Sequence, residues 1–200
     1  MGNFEISLDF CLTSPAACAT IRQKGGESMA HSKIQNLTRC ALAAAVLAVC
    51  AWITVPGPIP FTLQTMGVFL TLELLGGNLG TQAICVYLGL GILGLPVFSG
   101  FRGGIGMLLG ATGGYLSGFL VAAVLYGSLK KWGCPTLAAQ VLGLLSCYGF
   151  GTAWYLLAFG QGSSLWAVLS TCVIPFLIPD GLKLALAHLL AKRLMPYIHA

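Results

Sequence analysis

Charge is what this sequence has least of. Only 8% of its 200 residues are Asp, Glu, Lys or Arg, against about a quarter in ordinary soluble domains. Between Cys40 and Leu129 the charged side chains are Glu73 and Arg102 alone, and between Trp132 and Ala191 they are Asp180 and Lys183. That scarcity excludes a water-soluble globular domain and, with a mean hydropathy of +0.89, places the chain in a bilayer. The net charge of +5 comes mainly from basic residues near the ends of apolar runs. No basic patch with interleaved aromatics is present, so the charge reports topology rather than nucleic-acid affinity.

Other absences narrow the function. The eight cysteines form no C-x-x-C pair and have no histidine beside them, so neither a disulfide framework nor a metal site is expected. No G-x-x-x-x-G-K-[ST] appears, which removes an ATPase within this chain, and neither G-x-S-x-G nor H-E-x-x-H occurs. With three histidines and no close pair of buried carboxylates, enzyme catalysis is not expected. The first 28 residues carry Glu5, Asp9, Arg22, Lys24 and Glu27 and lack the basic-then-apolar order of a secretory leader. MGNFEI also misses the myristoylation pattern, because residue 6 is Ile. Residues 1–33 are therefore expected to be a tail without fixed structure, with Met29 an alternative start, and 34–200 to be the membrane domain.

What the chain has in quantity is apolar sequence, cut by Gly, Pro and polar clusters into six segments. These are Leu37–Val55, a short one at Thr62–Leu75, Leu79–Leu95, Gly110–Leu129, Thr136–Phe159 and a final stretch Leu165–Leu194. Pro175 and Pro179 interrupt the last, which leaves two readings: one long tilted helix kinked there or, preferred because Pro179 and Asp180 suit a first turn, a short re-entrant helix Leu165–Ile174 followed by a spanning helix opening near Asp180. The expected fold is an all-α, polytopic membrane protein of six transmembrane helices. Lys33 with Arg39, Lys130 with Lys131, and Lys192 with Arg193 all fall on one side of such a map. The positive-inside rule then puts both termini in the cytoplasm, with the chain multi-pass in the cell membrane.

Against this background Asp180 and Lys183 stand out. Three residues apart, they share a helix face, and each charge costs roughly 2.5–3.5 kcal/mol in hydrocarbon on insertion scales. They are either a buried ion pair pinning the last helix or a site for a polar solute that carries both donors and acceptors. Arg102 in SGFRGGIG is either an exposed loop arginine or, if the glycines fold the loop inward, a forked partner for a carboxylate. Gln64 and Tyr87 carry weaker signals: Gln64 reads as a residue solvating an interface, and Tyr87 as either an interfacial or a packing aromatic. Glu73 reads as an interfacial carboxylate at the inner end of the second helix, and His188 as a polar contact near the cytoplasmic face. Ala41 with Ala45 and Ala44 with Ala48 follow the small-xxx-small pattern, and ALAAAVLA concentrates small residues enough to offer a groove to another protein's helix.

Four stretches in order, PGPIPFTLQTMGVFL, YLGLGILGLPVFSG, GMLLGATGGYLSGF and PFLIPDGLKLALAHLLAKRL, resemble the BioY family, the biotin-binding S components of energy-coupling factor (ECF) transporters. The resemblance runs from Leu37 to Leu194. It implies a six-helix protein that captures biotin from outside and moves it inward with a membrane coupling subunit and two cytosolic ATPases, ATP being used only by those partners. No cofactor or metal is implied. It places substrate contacts at Asp180, Lys183, Arg102, Gly103 and Gly104, with Gln64 and Tyr87 as further candidates. It implies a lid at Pro56, Gly57, Pro58, Ile59, Pro60 and Phe61, and contact with the coupling subunit at Ala41, Ala45 and Ala48. Two positions depart from the family's usual pattern: Asp180 follows Pro179 directly where Pro-Gly-Asp is usual, and Glu73 stands where an apolar or small residue is expected. For biotin, the expectation is Asp180 and Lys183 at the ureido ring, Tyr87 over the rings and Arg102 at the carboxylate, the two polar ends being interchangeable. Rival readings are an S component for another small vitamin, a stand-alone biotin carrier, and a membrane assembly protein in which Asp180 and Lys183 only lock helices.

Overall fold

A computed structural model describes residues 15–55, 60–160 and 164–198. Contacts divide the chain into residues 1–38 and 39–200. In the first unit the described part is the opening of helix α1 (Pro15–Trp52). That helix begins well upstream of the expected Leu37, with Pro15 at a first-turn position where its missing N–H costs nothing, so residues 15–33 continue the helical backbone.

In the second unit α1 leads into a minimal hairpin, β1 (Thr54–Val55) and β2 (Phe61–Thr62), antiparallel with Thr54 opposite Thr62. Helix α2 (Gln64–Ile92) joins the second and third expected segments. It is broken at Gly76, whose φ of 76° and ψ of 172° are open to glycine and strained for other residues. The two legs fold back on each other there. A Cβ on Gly80 would lie 3.0 Å from the Cα of Leu72, whereas eight residues of straight helix span about 12 Å.

The remaining elements are a short α3 (Ile105–Leu109), α4 (Gly113–Lys131), α5 (Thr136–Phe159), α6 (Leu165–Cys172) and α7 (Ile174–Ile198). Ser164 caps α6, its hydroxyl accepting from the Ala167 N–H at 3.2 Å. The final stretch does divide, but at Val173 rather than near Asp180. Pro175 sits at the second residue of α7, where an N–H would be unpaired in any case, and the Phe176 N–H bonds the Val173 carbonyl at 2.9 Å. Pro179 therefore lies inside α7, where it removes one backbone bond and leaves the helix continuous.

Four stretches are long and apolar enough to cross a membrane: Lys33–Trp52, Gln64–Ile92, Thr136–Phe159 and Leu165–Tyr197. The fold is all-α. Counting the two legs of α2 separately and adding α4, the membrane helices number six, α3 and α6 being short additions among the described residues. Burial is arranged for lipid rather than water. Leu42, Val49, Val124, Leu145, Leu157 and Leu186 point outward, while Gln64, Thr65, Thr71, Glu73, Gln140, Thr152, Asp180 and Lys183 are buried. Lipid gives apolar side chains no reason to hide, so packing and polar contacts between helices hold the bundle. Small residues permit close approach: a Cβ on Gly77 would run into the Gly127 backbone, and one on Gly91 into the Phe98 ring.

Candidate ligand cavity

A cavity of about 520 Å³ opens between α2, α4, α5 and α7 beneath the 93–112 loop, within the range of about 300–1,000 Å³ usual for small-molecule sites. Asp180 and Lys183 line it, and each is only 4% exposed. The Lys183 ammonium donates to Asp180 Oδ1 at 2.6 Å, and the Tyr148 hydroxyl donates to Oδ2 at 2.5 Å. Both carboxylate oxygens are thus satisfied, which a buried ion pair requires to be tolerated. Lys183 Nζ also lies 3.7 Å from the centre of the Phe61 ring, a cation–π contact. Phe61 in turn stacks on Phe176 at 6.1 Å between ring centres.

Arg102 lines the same cavity from an exposed position. Its backbone carbonyl accepts from the Phe98 N–H at 2.9 Å, closing the loop on itself, and its guanidinium has no hydrogen-bond or ion-pair partner among the described residues. Beside it the Trp52 indole stacks on Phe101 at 4.9 Å, and its N–H donates to the Pro96 carbonyl at 2.8 Å, so α1 steadies the loop.

Gln64 also faces the cavity, buried, with its amide N–H donated to the Tyr87 hydroxyl at 3.0 Å. Tyr87, Gly103 and Gly104 are not among the lining residues. Tyr87 stands behind the wall: its hydroxyl donates to the Val97 carbonyl at 3.0 Å, and its ring meets Phe98 edge-on at 5.6 Å. Gly103 is required because a Cβ there would strike the Leu95 carbonyl, and Gly104 because it opens α3 at φ 94°. Of the lid residues, Pro60 lines the cavity and Phe61 covers Lys183, while Pro56, Gly57, Pro58 and Ile59 lie outside the described residues. Ala41 and Ala45 are exposed on α1, whereas Ala48 falls on the edge of its buried face.

Several lining residues carry no signal in the linear pattern, among them Thr112, Tyr115, Cys147, Tyr148 and Phe176. A tyrosine inside an apolar span needs a partner for its hydroxyl, and the chain's one acid late in the sequence was available to Tyr148. The Tyr115 hydroxyl is buried without a hydrogen-bond partner among the described residues.

Glu73 is buried between helices rather than solvated. It is 7% exposed; Oε2 accepts from the Gln140 amide at 2.7 Å, and Oε1 lies 2.7 Å from His188 Nδ1. This leg of α2 thus carries Glu73 to side chains of α5 and α7.

The comparisons agree with this architecture. The family model described as "BioY family" matches residues 23–200. A protein named biotin transporter BioY from Thermotoga maritima is 40% identical over 165 residues, covering 80% of this chain and 96% of that one. Biotin transporter BioY2 from Lactococcus lactis is 38% identical over 135 residues, covering 63% and 72%. A crystal structure of the S-component for biotin from an ECF-type ABC transporter superposes with a TM-score of 0.72 at 29% identity, covering 82% of this chain and 92% of that one. With a family match across most of its length and six membrane helices around a polar-ended cavity, the chain belongs to the BioY family.

Proposed function

We propose that this protein takes up biotin as the substrate-binding membrane component of an ECF-type transporter. The observation that carries the reading is a cavity with unlike polar groups: a buried Asp180–Lys183 pair and, at an exposed position, an unpartnered Arg102 guanidinium. Biotin offers matching chemistry. Its ureido ring has two N–H donors for a carboxylate and a carbonyl for an ammonium, its fused rings are apolar, and its acyl chain ends in a carboxylate suited to a guanidinium. Asp180 and Lys183 are assigned to the ureido group, Leu116, Phe119 and Phe176 to the rings and chain, and Arg102 to the carboxylate. Gln64 adds a polar contact, while Tyr87, Gly103 and Gly104 act by shaping the wall. Phe61 with the 56–60 segment serves as the lid.

The chain is a carrier component, not an enzyme. Energy comes from partners, a membrane coupling subunit and two cytosolic ATPases, and the exposed Ala41 and Ala45 offer the close-approach surface to the first. The membrane domain is 34–200. Lys130, Lys131, Lys192 and Arg193 gather at one end of the bundle, which supports cytoplasmic termini in the cell membrane. Titration of purified protein with biotin and with its methyl ester tests the reading. Tight binding of biotin and weaker binding of the ester are expected. Binding of another vitamin in preference to biotin would refute it, as would undiminished ester discrimination in Arg102→Ala for the carboxylate assignment.

A further inference from the structure

Glu73, Gln140 and His188 form a second polar cluster, away from the cavity and built from the same three helices. Glu73 lies on the first leg of α2, Gln140 on α5 and His188 on α7. Gln140 is eight residues before Tyr148 on α5, and His188 is eight residues after Asp180 on α7, so the two helices run antiparallel with polar layers about 12 Å apart. On α2, Gln64 precedes Glu73 by nine residues, about 13 Å, and faces the cavity. Each helix therefore contributes to both layers.

The packing between the layers is unequal. Helix α7 packs broadly on α2 but only narrowly on α5, because the cavity separates them: Leu144, Cys147 and Tyr148 line it from one side, Phe176, Asp180 and Lys183 from the other. Direct packing of α5 on α7 is therefore narrow, with the short α6 resting on both. Across that gap the Tyr148–Asp180 bond lies at the cavity, and the Gln140–Glu73–His188 chain lies beyond it. Pro179 also removes a backbone bond just ahead of Asp180. The buried acid is held to Gln140 at one oxygen and His188 at the other, and the Gln140 Oε1 has no partner among the described residues. The amide is oriented for Glu73 at the expense of its own acceptor.

We propose that Glu73, Gln140 and His188 are positioning residues for the ligand cavity, fixing the separation and rotation of α7 against α5 so that Asp180 meets Tyr148 and Lys183 faces the ligand. A one-residue slip of α7 would turn Asp180 by about 100°. The affinity arm of the test rests on the biotin reading; a second arm does not. His188→Ala removes the donor to Glu73, His188→Asn returns an N–H near the place of Nδ1, and Gln140→Leu removes the link to α5 at similar volume. In purified protein, biotin affinity is expected to fall at least tenfold in His188→Ala and Gln140→Leu and to recover to within about threefold of the parent in His188→Asn. Amide hydrogen exchange without ligand is expected to rise first at 174–184 and 144–148, with α1 and α4 unchanged. Parent-like affinity in a folded His188→Ala protein overturns the proposal, as do an Asn variant no better than Ala and an exchange increase spread evenly over all helices. If the parent itself does not bind biotin, the functional reading fails and the exchange pattern alone decides this one.

Discussion

The cavity layer and the inner layer are made of like parts, an acid, a base and a neutral hydrogen-bonding partner, but they are wired differently. At the cavity, the acid and the base are Asp180 and Lys183 on one helix, three residues apart, and the link to another helix is the Tyr148 hydroxyl. In the inner layer the acid, the base and the amide each come from a different helix. An ion pair contained in one helix cannot lock two helices together. The cavity pair lines the cavity and reaches a second helix only through the Tyr148 hydroxyl, which suits it to a ligand, whereas the inner cluster is a cross-link between three helices whose residues do not line that cavity. Intramembrane charge is functional or structural according to which elements share it, not according to how deeply it is buried.

The comparison breaks most sharply at Lys183. Lys183→Met leaves the Asp180 carboxylate buried with only Tyr148, and removal of one partner from a buried pair typically costs about 3–5 kcal/mol. A large fall in melting temperature is expected. The Asp180→Asn, Lys183→Met double variant should regain most of that stability and yet retain biotin at least 100-fold more weakly; parent-like retention would make the pair a structural lock after all. Tyr148→Phe should come next, at about 1–3 kcal/mol for an orphaned carboxylate oxygen, with biotin affinity reduced as well. Glu73→Gln keeps the shape of the inner layer but gives up the charge on two hydrogen bonds, an expected loss of about 1–2 kcal/mol read as a lower melting temperature. Arg102→Ala should leave the melting temperature within about 0.5 kcal/mol of the parent, as for other exposed sites, while biotin and its methyl ester come to bind alike.

Much of this molecule was legible from residue order. The helix-breaking glycines and prolines marked the segments, although Gly76 turned out to join the second and third through a sharp reversal, and Pro175 rather than Pro179 governed the start of α7. Asp180 and Lys183 were legible as a pair because their spacing lies within one helix. Arg102 was legible as a loop cation, and the structure places it on the cavity. The burial of Glu73 is not legible in residue order, because its partners Gln140 and His188 lie on other helices. Tyr87 and Gln64 were both flagged, but only their mutual hydrogen bond reveals that one faces the cavity and the other braces it. Tyr148 went unread, since nothing in the sequence of α5 says which of its faces meets α7.

By itself, the amino-acid order determined that the chain lives in lipid, how many helices it has to place there, and that two opposite charges share one face of the last. Those properties are local: composition, segment length and the 3.6-residue period settle them without knowledge of any neighbour. Only the tertiary structure decided that Asp180 is held by Tyr148, that Glu73 is buried between Gln140 and His188, and that a cavity separates α5 from α7. Contacts between helices depend on rotation and register, and each residue of slip turns a side chain through about 100°.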